Sequence, residues 1–314
     1  MKGRILCLTQ RRGEEETMNK TQKEFYEKLK MSYPDEIRNG IDVKFHVKGK
    51  LNASPVIYGE EIKYDFQKSF MTDFGKRGQA YAIFSSAIMA YNFFHWVGKD
   101  NPIDLGQLGV YDEVVFEFPL RTFKSRKSSA KMDVVLLNRE TARVLFIESK
   151  FTEHFSNKKF VIPETYMDAS NYFPDGHGDE WVSIVNSCKN TLSQRGGYGE
   201  GIKQEICHLV GICASKTTAY TGRSLMGSDY RWCLRNVVFK PKAEACIDTP
   251  YDNYKTLYDK FKEHVANKIS GMDIGIMDYK PIWNAIRKAF PDENDPYREF
   301  IWNRYMQFAA DEVL

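Results

Sequence analysis

Asp133, Glu148 and Lys150 are the residues of this chain best suited to chemistry, and all three lie in one stretch, KMDVVLLNRETARVLFIESK, from Lys131 to Lys150. Met132–Leu137 and Val144–Ile147 are apolar and rich in strand-forming residues, and Asn138–Ala142 between them is polar and suits a turn. The pattern predicts a hairpin, apolar on both faces and therefore buried inside a covered sheet. With Glu140-Thr141 at the turn, Asn138 faces Arg143, Val134 faces Ile147 and Asp133 faces Glu148. Carboxylates so placed have Cβ atoms about 5 Å apart, and like charges opposite one another destabilise a sheet. Lys150 shares the strand face of Glu148. Fold stability gives no reason for two acids and a lysine at the mouth of an apolar hairpin. A divalent cation does, because Mg²⁺ takes hard oxygen ligands of this kind.

Several elements must position this hairpin. Lys76–Val97 reads as a long helix with Ala80, Phe84, Ala87, Ile88, Tyr91 and Phe94-His95 turned to the sheet. His95 reads as a packed histidine, and Glu60, Glu61 and Asp73 as solvated acids. Glu113–Leu120 alternates as a strand, and its Glu117 ranks behind Asp133 and Glu148 as an acid for the site. Lys20–Met31 reads as a helix with Phe25, Tyr26 and Leu29 inward, and Ile41–Lys48 as an early strand. Ile162–Glu180 reads as an irregular surface loop. Glu180–Ser193 and Gly201–Ala214 read as two helices, or as a helix leading to a strand. Trp232–Lys240 reads as a strand, and Tyr251–Ile269, Lys280–Phe290 and Pro296–Val313 as helices. The glycine-rich turn Gln194–Gly199 lacks the spacing of a nucleotide loop.

Composition bounds the answer. The chain has 314 residues, 42% hydrophobic and 28% charged, which suits a globular protein. No apolar run approaches the roughly 20 residues of a membrane span. A net charge of only +3 means that any nucleic-acid surface is a local patch. One candidate is RTFKSRKSSAK, which places Arg121, Lys124, Arg126, Lys127 and Lys131 among hydroxyl residues and leads into Asp133. Cations with hydroxyls are phosphate-binding chemistry. The six cysteines form no CxxC and keep no ligand-like spacing to a histidine, so they read as reduced thiols of a cytoplasmic protein. The start carries no signal-peptide pattern. Residues 1–17 read as a mis-assigned or disordered extension, with translation beginning at Met18.

Asp133, then fourteen intervening residues, then Glu148-Ser149-Lys150 resembles the core motif of the PD-(D/E)xK nuclease superfamily. The departure is Met132, where a proline is usual. The helical stretch FSSAIMAYNFF, with Ser85-Ser86 in place of a helix acid, resembles a group of bacterial members, as does the continuation FTE after Lys150. GIKQEICHL resembles the family's helix that supplies a glutamine, here Gln204. The resemblance implies a three-layer α/β/α restriction-endonuclease-like core with a small mixed sheet. That core would span residues 18–250, with a helical C-terminal part over residues 251–314 packed on it. It implies a Mg²⁺-dependent (or Mn²⁺-dependent) nuclease acting on DNA in restriction, phage defence or repair. Asp133, Glu148 and the Ser149 carbonyl would hold the metal, and Asp133, Glu148, Lys150 and Gln204 would serve catalysis. A homodimer is compatible with this reading. The rivals are a nucleic-acid-binding protein that does not cut, or an RNA-cleaving member.

Overall fold

The computed structural model describes residues 19–43, 45, 82–124, 130–156, 158–172, 177–193, 197–217, 230–242, 250–266, 269 and 271–310. The hairpin forms the middle of a five-stranded sheet. Its strands are β1 (Glu113–Leu120), β2 (Ala130–Asn138), β3 (Arg143–Lys150), β4 (Arg231–Val238) and β5 (Met272–Met277), hydrogen-bonded in that order. β1, β2 and β3 are antiparallel neighbours, while β4 and β5 run parallel to β3. The β2–β3 register is the expected one, with Asn138 paired to Arg143 and Val134 to Ile147. Asn138 closes the turn by accepting the Thr141 N–H at 2.9 Å, and Ala142 completes it at φ 49°.

Parallel neighbours need crossover connections. Two helices, α3 (Gly178–Leu192) and α4 (Gly199–Thr217), connect β3 to β4, and α5 (Pro250–Val265) connects β4 to β5. These three pack on the sheet face that carries Val135, Leu137, Val144 and Phe146. The other face, with Val134, Leu136, Leu145 and Ile147, packs on α1 (Lys20–Met31), α2 (Ser86–Phe94), α6 (Lys280–Ala289) and α7 (Pro296–Arg304); this is the first core, and the one under α3, α4 and α5 is the second. Covering both faces explains why the hairpin strands are apolar throughout. The result is a three-layer α/β/α core around a mixed sheet. The chain after residue 250 is mostly helical and also supplies the last strand.

Several elements depart from the sequence expectation. The first long helix starts at Ser86, because the Ser85 side chain caps it by accepting the Ile88 N–H at 3.4 Å. Ala82–Phe84 form a bridge and turn instead, and residues 76–81 lie outside the described residues. In the described part of Ile41–Lys48, Ile41 makes a lone bridge and Val43 a turn, so no strand forms there. Ile162–Glu180 carries two 3-10 turns whose Tyr166 and Tyr172 are buried against the second core; the Tyr172 hydroxyl donates to the Tyr166 carbonyl at 2.6 Å. These two tyrosines anchor residues 162–172 to the second core, while Glu164, Asp168 and Ser170 stay exposed as a surface loop's residues do; residues 173–176 lie outside the described residues. β5 went unforeseen because MDIGIM contains Asp and Gly, which strands disfavour. The last helix ends at Arg304, followed by a 3-10 turn over Met306–Phe308.

α4 can lie close on β1 because residue 211 is glycine. A Cβ there would stand 2.6 Å from Leu120 Cβ and 3.3 Å from Thr122 Cγ2. Gly211→Ala is therefore expected to push α4 off the sheet and cost about 1–3 kcal/mol, as overpacked sites do. Denaturant melts of the variant check this, and stability equal to wild type would contradict the close approach.

Candidate active site

The site begins with a reversal of strand faces. Val114 and Phe116 pack with the first core, whereas Phe118 and Leu120 pack with the second. Simple alternation would keep Phe118 with Phe116. The switch occurs at Glu117, whose φ of 52° lies in the left-handed region that a glutamate rarely adopts. β2 switches faces at the same level, with Val134 in the first core and Met132 in the second. Phe116 pairs with Val134 and Phe118 with Met132, so Glu117 and Asp133 occupy the unpaired step between them. The hairpin ladder on the other side of β2 also stops at Val134–Ile147. Asp133 and Glu148 are thus not backbone partners, and the Asp133 carboxylate instead accepts the Ser149 N–H at 2.8 Å.

Glu148 and Lys150 end the central strand, at 4% and 3% exposure. The Lys150 ammonium donates to Glu148 Oε1, and to Gln204 Oε1 at 3.0 Å. Burial, the largest single influence, works against the charged lysine, but Glu148, Tyr198, Glu153 and Asp133 together outweigh it and hold the ammonium well above its ordinary pKa. Glu148 Oε2 is buried with no hydrogen-bond partner, and His208 Nδ1 stands 3.5 Å from it. Gln204 and His208 lie four residues apart on α4, hence on one helix face.

Ser149 is anchored from the other side of the sheet. Its hydroxyl donates to the Ser86 carbonyl at 3.0 Å and receives the Tyr279 hydroxyl at 2.6 Å. The Ser86 hydroxyl in turn donates to Glu153 Oε1, and Glu153 Oε2 accepts the Phe151 and Thr152 N–H groups at 2.9 and 3.1 Å. The Ser85-Ser86 pair therefore caps a helix and locks the end of β3. Behind Glu148, its β4 partner Asn236 donates to Glu205 Oε2 at 3.2 Å, and Tyr258 donates to Glu205 Oε1 at 2.6 Å. Burial pushes the Glu205 carboxyl up to about 7.

Asp133, Glu148, Ser149, Lys150 and Gln204 are thus brought together. The basic segment is more dispersed. Lys124 is exposed, Arg121 is half-buried, and Lys131 has its ammonium 3.7 Å from the buried Glu117. Arg126 and Lys127 lie outside the described residues, as do Glu60, Glu61 and Asp73. His95 packs as expected, its Nδ1 3.2 Å from the Tyr91 and Asn92 carbonyls. Sequence reasoning missed His208, Tyr279 and the weight of Glu117. The signal for His208 was its helical spacing from Gln204; Tyr279 carried none.

A mixed five-stranded sheet between helical layers, with Asp133 and Glu148-Ser149-Lys150 on adjacent strands, is a restriction-endonuclease-like core. The chain belongs to the family described as Restriction Endonuclease associating with ARP, whose model matches residues 14–183, more than half of the chain. No curated protein and no solved structure matches it. No helix among the described residues is long and apolar enough to cross a membrane.

Glu117 and Asp133 resist ionisation. Burial raises Glu117 to about 8, with Glu148 adding to it, and burial followed by Glu148 raises Asp133 well above its usual value. A raised folded-state pKa means stability that is full below the unfolded value and lost as pH climbs through the folded one. For Glu117 that window runs from 4.5 to about 8. Glu117→Gln is expected to match wild type near the bottom of this window. Near its top, the variant should be more stable by on the order of 1 kcal/mol in metal-free buffer. Thermal melts across pH check this; parallel wild-type and variant curves would show that Glu117 is not held against ionisation.

Proposed function

We propose that this protein is a divalent-metal-dependent endonuclease that hydrolyses phosphodiester bonds in DNA, with Asp133, Glu148 and Lys150 at the reacting centre. The observation that carries the reading is the buried Glu148–Lys150 pair, with Glu148 Oε2 left without a partner. Buried polar atoms are nearly always satisfied, and an orphaned carboxylate oxygen beside a second acid suits a cation. Among the described residues, no group of three or more His, Cys, Asp or Glu side chains stands ready to hold a metal. Mg²⁺ commonly takes only one or two carboxylates and fills its shell with water and substrate phosphate, so the residues present fit it. Asp133, Glu148 and the Ser149 carbonyl would hold the ion. Once bound, it supplies Lewis-acid polarisation of the phosphate and a more acidic water.

The rest is done by the chain. Lys150 keeps its proton and offers a fixed positive charge to the negative charge that builds on the phosphate oxygens. Gln204 holds that ammonium in place. Ser149, tied to Ser86 and Tyr279, fixes the strand end, and its N–H orients the Asp133 carboxylate. Arg121, Lys124, Arg126 and Lys127 form the phosphate-contacting segment. Lys131 belongs more to Glu117.

The direct test incubates the protein with supercoiled, linear and single-stranded DNA and with RNA, with and without Mg²⁺ or Mn²⁺. Cleavage of DNA in the presence of metal is expected. Glu148→Gln should lower the rate at least about 100-fold, since a carboxylate that would hold the ion matters at least as much as the outer-shell groups behind such ligands. Glu148→Gln and Lys150→Ala each remove one partner of a buried ion pair, at a cost of about 3–5 kcal/mol, so each is read only on protein that a metal-free melt shows to be folded. The double variant E148Q/K150M removes both charges and should stay folded while remaining inactive. A double variant that cuts within twofold of wild type would reject the assignment. Metal-dependent cleavage of RNA alone would replace the substrate.

Neutralising Lys124, Arg126 and Lys127 together should weaken DNA binding and flatten its dependence on salt, since each phosphate contact releases condensed counterions. An unchanged slope of log affinity against log salt would place the phosphate track elsewhere.

A further inference from the structure

His208 and Glu148 confront one another with lone pairs. His208 is 3% exposed, and its ring is held by a hydrogen bond to the Lys131 backbone carbonyl. Nδ1 has no hydrogen-bond partner, so that bond runs through Nε2–H. The tautomer is thereby fixed, and Nδ1 carries a lone pair. The Nδ1 lone pair looks at Glu148 Oε2 across 3.5 Å, and Oε2 is itself unpartnered. Lys150 donates to the other oxygen of Glu148. A carboxylate held by an ammonium keeps its second oxygen as an acceptor. Two buried acceptors facing each other repel, unless something electron-poor lies between them.

A histidine that donates one ring N–H to a backbone carbonyl and presents the other nitrogen to a carboxylate is arranged as metal-ligating histidines are. Two ligands each about 2.0–2.2 Å from a cation stand roughly 3–3.5 Å apart, which matches the gap. We propose that Glu148 Oε2 and His208 Nδ1 form a nitrogen–oxygen pair that binds a divalent cation and favours transition-metal ions over Mg²⁺. The inference rests on the metal-dependent reading of the Glu148 site and specifies its metal. Imidazole nitrogen raises affinity for Co²⁺, Ni²⁺ and Zn²⁺, whereas an all-oxygen site suits Mg²⁺. Water and the substrate phosphate would complete the coordination.

Metal binding to the full chain without nucleic acid tests this apart from activity. Calorimetric titrations with Mg²⁺ and Co²⁺ are run on wild type, His208→Gln, His208→Asn and Glu148→Gln, and the visible absorption of bound Co²⁺ is recorded. Wild type should bind Co²⁺ more tightly than Mg²⁺. His208→Gln should lose about tenfold or more in Co²⁺ affinity, change Mg²⁺ affinity less than twofold and shift the Co²⁺ absorption. Glu148→Gln should lose both ions. If His208→Gln does not fold, judged by a metal-free melt, His208→Asn carries the same comparison. Co²⁺ affinity and spectrum unchanged by loss of the imidazole would overturn the proposal and leave a bridging water in the gap. In that case metal binding lost in Glu148→Gln alone would keep the nuclease reading intact. No binding of either ion to wild type would remove both.

Discussion

The buried pair of Glu148 and Lys150 is what the rest of the structure must accommodate. Taking two opposite charges out of water costs several kcal/mol per ion, and their attraction repays this only with good geometry and further hydrogen bonds. A pair of that kind survives only where the fold encloses it on every side. β3 is central, with β2 antiparallel on one side and β4 parallel on the other. Helix α2 brings the Ser86 carbonyl to one sheet face, and α4 brings Gln204 and His208 close to the charges from the other. The crossover from β3 to β4 is therefore more than a connection. It returns the chain over the strand end that carries the charges.

A second constraint is the reversal at Glu117. A non-glycine residue at positive φ costs on the order of 1–3 kcal/mol and persists only where its surroundings hold it. Phe116 and Phe118 supply that hold by anchoring in opposite cores. In return, the twist frees Glu117 and Asp133 from ladder pairing at the level where β2 and β3 separate. Ordinary pleating through this step would have satisfied the backbone and given Asp133 no reason to reach the Ser149 N–H. Strain here and an unmet carboxylate oxygen on Glu148 occur within one small volume, a combination that fold stability alone would not select.

Much of this was legible in sequence order, and the reason is locality. The hairpin register follows from turn position and strand period, and Val134 opposite Ile147 required nothing else. The apolar character of both strand faces already indicated a covered sheet. The last step of the register, Asp133 opposite Glu148, did not carry through, because both ladders of β2 open at the Glu117 twist, a feature with no local sequence mark. The first helix was drawn too long because apolar periodicity continues through Phe84, while Ser85 settles its start. β5 and Tyr279 are placed by tertiary partners, β4 and Ser149, far away in the chain. His208 was visible only as a histidine beside a cysteine until the helix phase put it with Gln204.

The family match and the site also divide unequally. Residues 14–183 contain Asp133, Glu148, Ser149, Lys150 and the helix cap at Ser85. Gln204, Glu205, His208, Asn236 and Tyr279 all lie beyond it. Yet the charged groups of the motif cannot be stable at their observed burial without that later segment. Without β4, β3 would be an edge strand with unpaired N–H and C=O groups, open to water and to other chains. Without α4, Lys150 would lose Gln204, and the face of β3 toward the second core would lose its cover. The D…ExK motif is thus a local sequence feature whose electrostatics are set by residues that follow it by fifty to more than one hundred positions. What the first half of the chain specifies is the set of charged groups. The second half supplies the dry, hydrogen-bonded enclosure in which an ammonium stays charged and a carboxylate oxygen waits for a partner.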